Sequence, residues 1–239
     1  MLLYFIRHGE PDYENDTLTP FGILQAEETA KRLLMENITH VYASPMGRAQ
    51  KTAHIFADRA GLPVITADWA HELGSESMTP FPDGKNKGMG IVSPVHFHSG
   101  EYRDVSFSDA FDRIPGICDT EDFIGRYRCI TEGLDELLYE HGYQRTESGT
   151  YRLIAPEDSR IAVFCHGAMI RSVLAHLLHI PYQFIASTFH EHHCGITLFR
   201  FEKIADETDE IVPQLLSFGD AGILYNLGVQ HFYLTGEEI

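Results

Sequence analysis

Leu2 to Ile6 is an unbroken apolar run that stops at Arg7-His8-Gly9, the pattern of a strand buried on both faces of a parallel sheet. Thr19-Pro20 then reads as an N-cap and first helical residue, and Ile23, Ala26, Ala30, Leu33 and Leu34 mark one helical face. A short strand over 40–43 leads into Ser44-Pro45, a second N-cap and first-residue pair, with Ala49, Ala53, Phe56, Ala57 and Ala60 on one face of the helix that follows and Gly61 as its stop. Residues 62–66 form a third strand. This alternation predicts an α/β fold, a three-layer α/β/α sandwich with a mostly parallel central sheet.

From about 73 to 118 the periodicity disappears, and prolines and glycines take its place. A stretch this long inside one domain predicts a functional insertion, here a cap. Helical spacing returns at Phe123, Tyr127, Ile130, Leu134, Leu137 and Leu138, ending near His141-Gly142. Ile161 to Cys165 is a second buried strand, stopped by His166-Gly167. A helix follows with Ile170, Val173, Leu174 and Leu177 inward, and two further strands are expected over 195–201 and 211–218. The whole reads as one domain, 1–239, with an insertion at about 73–118.

The chain carries 18 Lys+Arg against 35 Asp+Glu, a formal charge of −17, which excludes generic binding to nucleic acid or to an anionic membrane surface. An anionic substrate must be held by a local group of cations. The four cysteines, Cys118, Cys129, Cys165 and Cys194, show no metal-binding spacing and suit a reducing, cytoplasmic setting. The five-residue apolar run after Met1 is too short for a signal peptide or a membrane span, so a soluble protein is expected.

Ligands of open α/β sheets sit beyond the carboxyl ends of the parallel strands. Three of these ends carry unusual groups: Arg7-His8-Gly9, Ser44-Pro45 with Arg48 in the next helical turn, and His166-Gly167. If the strands are neighbours, two arginines, two histidines and two helix N-termini converge on a phosphate-sized pocket, with Gly9 and Gly167 admitting an oxyanion close to the backbone. A neutral imidazole is a good nucleophile towards phosphorus, and nearby cations keep it neutral. Arg7 and Arg48 spread the charge of the equatorial oxygens, so no metal or other cofactor is expected. The leaving oxygen needs a proton; Glu72, after the third strand, is the first candidate, with Glu76 and Asp12 as alternatives.

Four blocks carry a resemblance: Leu3 to Glu10, Leu18 to Gly22 with Gln25-Ala26, Ser44 to Ala49 with Thr52-Ala53, and Cys165-His166-Gly167 with Ile170-Arg171. Together they resemble the histidine phosphatase superfamily, also called the phosphoglycerate mutase-like family. The resemblance implies a phosphohistidine intermediate on His8, a phosphate pocket of Arg7, Arg48 and His166, and a proton donor at Glu72. It also suggests Gln25 as a phosphate contact. Gly167 stands where the phytase branch has an aspartate, which points to the small phosphatase and mutase branch. The Asn-containing stretch after the first block is replaced by Pro11 to Asp16, with Asn15 one counterpart, and Gly219-Asp220 is similar to the family's C-terminal block. The basic residues that hold a second acidic group in phosphoglycerate mutases have no match, which favours a phosphatase.

The function expected is therefore metal-independent hydrolysis of a small phosphorylated metabolite through His8. A phosphoglycerate mutase or other phosphotransferase, and a non-catalytic phospho-ligand binding module, are the alternatives. Lys85, Lys87, Tyr102 and Arg103, with His96 and His98, are either a substrate-recognising lid or a solvated insertion. The run His190-Glu191-His192-His193 has metal-binding composition, but reads more simply as a solvated polar loop. The oligomeric state is left open.

Overall fold

The structure is a computed structural model and describes residues 1–73, 121–155, 158–203 and 209–227. A six-stranded sheet is built from β1 (Leu2–Arg7), β4 (His40–Ala43), β5 (Val64–Thr66), β8 (Arg160–Cys165), β9 (Ile196–Arg200) and β11 (Gln214–Asp220), in the order β11-β9-β1-β8-β4-β5. Strands β1, β8, β4 and β5 are mutually parallel, while β9 runs antiparallel to both β1 and β11. A two-stranded ribbon, β2 (Pro11–Asp12) with β3 (Thr17–Leu18), follows the first strand.

The continuous apolar run of β1 has its cause in the layers. Tyr4 and Ile6 face helices α1 (Pro20–Leu33) and α2 (Gly47–Ala60), joining Ala30, Leu33, Ala53, Phe56 and Ala57. Leu3 and Phe5 face the other side, with Leu134 and Leu138 of α3 (Glu121–Glu140) and Ile170 and Val173 of α4 (Gly167–Leu178). All four strand side chains are at most 1% exposed, and each such burial stabilises the fold by roughly 1.5–3 kcal/mol. The α/β/α sandwich with a mostly parallel sheet is thus present.

Register brings the strand ends together. Arg7 pairs with Cys165 and Ala43 with Phe164, and the ladder runs one step further: His8 N–H donates to the Cys165 carbonyl at 2.9 Å and Ser44 N–H to the Phe164 carbonyl at 2.9 Å. His8, Ser44 and His166 therefore emerge side by side at one sheet edge. Gly9 is required there for packing: an added Cβ would lie 2.5 Å from the Gly22 carbonyl oxygen, so α1 presses directly on the loop.

Several elements differ from the sequence reading. Thr19 does cap α1, its hydroxyl accepting the Gly22 N–H at 2.9 Å. Ser44-Pro45 does not open α2, which begins at Gly47 after Met46. The Asp16 carboxylate caps it from outside, accepting the Gly47 N–H at 2.6 Å, and this frees the Ser44 hydroxyl for another partner. Leu34 ends α1 as its C-cap and is exposed rather than inward. The strand expected over 211–218 is two: β10 (Glu210–Ile211) joins a small antiparallel sheet with β6 (Tyr143–Arg145) and β7 (Tyr151–Leu153), and β11 completes the main sheet. A seven-residue helix, α5 (Tyr182–Thr188), precedes the histidine-rich segment. Most of the expected insertion, from residue 74 on, lies outside the described residues.

Candidate active site

His8 is 2% exposed and its ring is fixed from both sides. Its Nδ1–H donates to the Gly9 carbonyl at 2.7 Å, which leaves the Nε2 lone pair to accept the Arg48 Nε–H at 3.2 Å. Arg48, buried in the first turn of α2, is itself aimed by Asp16, whose Oδ1 accepts from Nη1 at 2.7 Å. Asp16 reaches it from a left-handed backbone (φ 45°) between β2 and β3. Thr52, one turn after Arg48, accepts the Gly9 N–H and donates to the Arg48 carbonyl, tying the first strand end to the second helix.

The His166 ring lies 5.1 Å from that of His8, centroid to centroid, and its Nε2 is 2.7 Å from Ser44 Oγ. Ser44 Oγ also accepts the Met46 N–H at 3.3 Å. His166 Nδ1 is buried and has no partner among the described residues. Arg7 donates through Nη1 to the Glu191 carbonyl at 2.7 Å, and its buried Nε likewise has no partner. Behind it the Glu191 carboxylate, 0% exposed, pairs with Arg171 at 3.2 Å. Gly167 leaves room for this pair, since a Cβ there would meet Glu191 Oε1 at 3.0 Å and Arg7 Nε at 3.5 Å.

Glu72 accepts two backbone N–H groups on Oε1, from Leu73 at 3.0 Å and Met169 at 3.3 Å, the second from the start of α4 beside His166. Burial raises its pKa against the opposing pull of Arg7 and Arg48. Asp12 has the opposite character. Its carboxylate accepts from Asn15 and from the Glu14 N–H, and the Asn15 bond in particular holds its pKa low. Asn15 is exposed and spends its amide on Asp12. Gln25 is buried and accepts the Glu10 N–H at 2.8 Å, so it holds the loop after His8. Lys85, Lys87, Tyr102, Arg103, His96, His98 and Glu76 lie outside the described residues.

Burial, with Arg7 and Arg48 adding to it, lowers the His8 pKa to about 3, and burial with the neighbouring His8 and Arg48 takes His166 well below the usual imidazole range. Both rings are neutral at pH 7. The linkage follows directly: below about pH 6.5 an unfolded chain protonates its histidines while the folded one does not, so stability falls as pH drops from there towards 3. The raised Glu72 and Glu191 carboxyls act with the opposite sign, which a difference measurement cancels. In urea unfolding between pH 6 and 4, His8→Ala is expected to lower the slope of stability against pH by about 1.4 kcal/mol per pH unit relative to wild type. Parallel slopes would show that His8 titrates normally in the fold.

The histidine-rich segment is not the solvated loop that its composition suggested. Glu191 and His192 are buried, His193 is partly so, and its ring stacks over His8 with centroids 5.5 Å apart and a tilt of 34°. Among the described residues no group of three or more His, Cys, Asp or Glu is placed to hold a metal. Sequence reasoning gave Ser44, Asp16, Glu191 and His193 no role in the site: it read Ser44 as a helix cap at a strand end, Asp16 as part of the stretch after the first block, and Glu191 and His193 as a solvated loop.

A family model described as the histidine phosphatase superfamily, branch 1, matches residues 3–79 and 131–210, the two segments that build this sheet edge. The chain belongs to that superfamily. Among curated relatives of this superfamily member, a probable phosphoglycerate mutase from Yersinia pestis (strain Pestoides F) is 34% identical over 104 residues, covering 36% of this chain and 48% of the relative. The chain thus matches about half the length of these curated relatives. Among solved structures, a phosphoserine phosphatase variant from Entamoeba histolytica in complex with phosphoserine superposes with a TM-score of 0.60 at 23% identity, covering 93% of this chain and 98% of the other. A mycobacterial glucosyl-3-phosphoglycerate phosphatase bound to VO3 gives 0.59 at 18% identity, covering 92% and 99%. Identities this low speak to the fold. Among the described residues no helix is long and apolar enough to cross a membrane.

Proposed function

We propose that the protein hydrolyses a small phosphorylated metabolite through a phosphohistidine on His8, without a metal. The observation that carries this reading is the state of His8: a buried neutral ring, Nδ1 spent on the Gly9 carbonyl and Nε2 left as the lone pair at the sheet edge. In the reaction His8 Nε2 attacks phosphorus in line as the ester oxygen leaves, and Glu72 gives that oxygen a proton. Arg48 moves its Nε–H from the lone pair to a phosphoryl oxygen, and Arg7 Nε and His166 Nδ1 donate to the others. Water, deprotonated by the Glu72 carboxylate, then attacks the phosphohistidine, and the N–P electron pair returns to His8. These donors are arginines and a neutral imidazole, which supports charge stabilisation by the chain itself.

Phosphotransfer to a second hydroxyl is favoured by one observation, the resemblance to probable phosphoglycerate mutases over part of the chain. It shares the first half-reaction and differs only in the acceptor. The segment 73–118, with Lys85, Lys87, Tyr102 and Arg103, is proposed to recognise the non-phosphate part of the substrate within the single domain. The three described cysteines are all free, which supports a cytoplasmic setting.

The test is release of inorganic phosphate from a panel of phosphomonoesters, phosphoserine and 3-phosphoglycerate among them, with a chelator present throughout. Release from at least one ester is the expected result. Phosphate transferred to an organic acceptor instead, or release that requires added metal, overturns the hydrolytic, metal-independent reading.

A further inference from the structure

Resting on that reading, we infer that His193 is a third imidazole of the phosphate pocket, donating from Nε2 to an oxygen of the phosphoryl group carried by His8. Three features of the structure lead there. The first is placement. The turn from His192 to Gly195 is closed by the Gly195 N–H donating to the His192 carbonyl at 2.9 Å, with Cys194 left-handed at φ 58°. That turn is bolted to the strand end bearing the nucleophile: the Cys194 N–H donates to the Arg7 carbonyl at 2.9 Å and the Arg7 N–H to the Gly195 carbonyl at 3.2 Å. Thr29 of α1 adds a hydroxyl bond to the Cys194 carbonyl. His193 is thereby held over the His8 ring by backbone bonds that leave its own side chain free.

The second feature is an unmet bond. His193 Nε2 is buried and has no partner among the described residues, and it shares this condition with Arg7 Nε and His166 Nδ1 in the same site. Buried polar groups are otherwise paired in folded proteins, because an unpaired one costs its desolvation. Three nitrogens left open around one nucleophile, against one open oxygen, Glu191 Oε1, leave donors in excess and are the complement of a group rich in acceptors. A phosphoryl group presents three oxygens, each able to accept more than one bond.

The third is charge. Burial and the nearby Arg7 hold the His193 pKa well below the usual imidazole range, which favours the neutral ring. It therefore adds a donor without adding to the positive charge that Arg7 and Arg48 already place there. The Glu191 carboxylate is bonded to Arg171 through Oε2, while its buried Oε1 lies beside Gly167 with no hydrogen-bond partner among the described residues, so neither oxygen is bonded to His193.

Two variants separate donation from packing. His193→Phe keeps an aromatic ring over His8 but has no donor; His193→Gln keeps an N–H donor without the ring. Binding of inorganic phosphate to the full chain is to be titrated for wild type and both variants, alongside turnover of the ester identified by the panel. His193→Phe is expected to weaken phosphate binding by about 10- to 100-fold, the effect of losing a hydrogen bond to a charged group, and His193→Gln to recover most of it. In the wild-type protein, phosphate should also shift the 15N resonance of His193 Nε2, a readout that needs no variant to fold. Wild-type turnover and phosphate binding with His193→Phe unchanged, or no shift at Nε2 on saturation, overturns the assignment and leaves the proposed function standing. A wild type that neither binds phosphate nor releases it overturns both.

Discussion

His8→Ala is expected to lower turnover of the best phosphomonoester by at least about 10⁴-fold, because it removes the atom on which the phosphoryl group is carried rather than one of the groups that support it. The loss is separable from a failure to bind. Arg7 is held by the Glu191 carbonyl, Arg48 by Asp16 and His166 by Ser44, and none of these anchors is His8 itself. Inorganic phosphate should therefore still bind, within about tenfold of wild type, since the charge-assisted donors remain. A second readout follows from the chemistry of the N–P bond. Wild type mixed briefly with radiolabelled substrate and quenched in alkali should retain label that acid removes, and His8→Ala should retain none. Label that persists in the variant, or activity within tenfold of wild type, would place the nucleophile elsewhere.

Much of this site was legible because its signals are local. An apolar run stopped by Arg7-His8-Gly9, and another stopped by His166-Gly167, state both the strand and the functional group at its end, and parallel pairing in register does the rest. Ser44 misled for the same reason. Ser-Pro before a helical pattern is a sound local rule for an N-cap, but Asp16 from the β2–β3 ribbon supplies the cap and the serine turns to His166. The His190–His193 segment lay beyond local reasoning altogether. Its character is set by the antiparallel seat of β9 on β1, which draws the turn at Cys194 onto Arg7 and His8, and nothing in four polar residues announces that contact. The small sheet was missed because strands of two or three residues, such as Tyr143-Gln144-Arg145, are too short to show an alternation. The Glu191–Arg171 pair is the deepest of these surprises. Arg171 partners one oxygen of the buried Glu191 carboxylate, and the Glu191 backbone carbonyl in turn accepts from Arg7.

Replacing Glu72 by Gln tests the remaining role, and its effect should depend on the ester supplied. Glu72 Oε1 accepts the Leu73 and Met169 N–H groups, which leaves Oε2 as the oxygen through which the proposed proton transfer runs. Glutamine can keep the carbonyl oxygen in that place and present an amide where the acid stood, which preserves the local backbone and removes only the proton. For an alkyl phosphate, whose alkoxide is a poor leaving group, turnover should fall by about 10²- to 10⁴-fold. For an aryl phosphate, whose phenolate leaves unaided, the first step should be nearly unchanged, and any loss will report the missing base in the second. The pH profile supplies the sign. With its pKa raised by burial, the wild-type acid delivers its proton up to higher pH than an ordinary glutamate, and the phosphorylation step should slow as pH rises through that value. In Glu72→Gln that decline disappears, because no group is left to deprotonate. Equal losses on alkyl and aryl esters, with the decline intact, would assign the proton to another carboxyl.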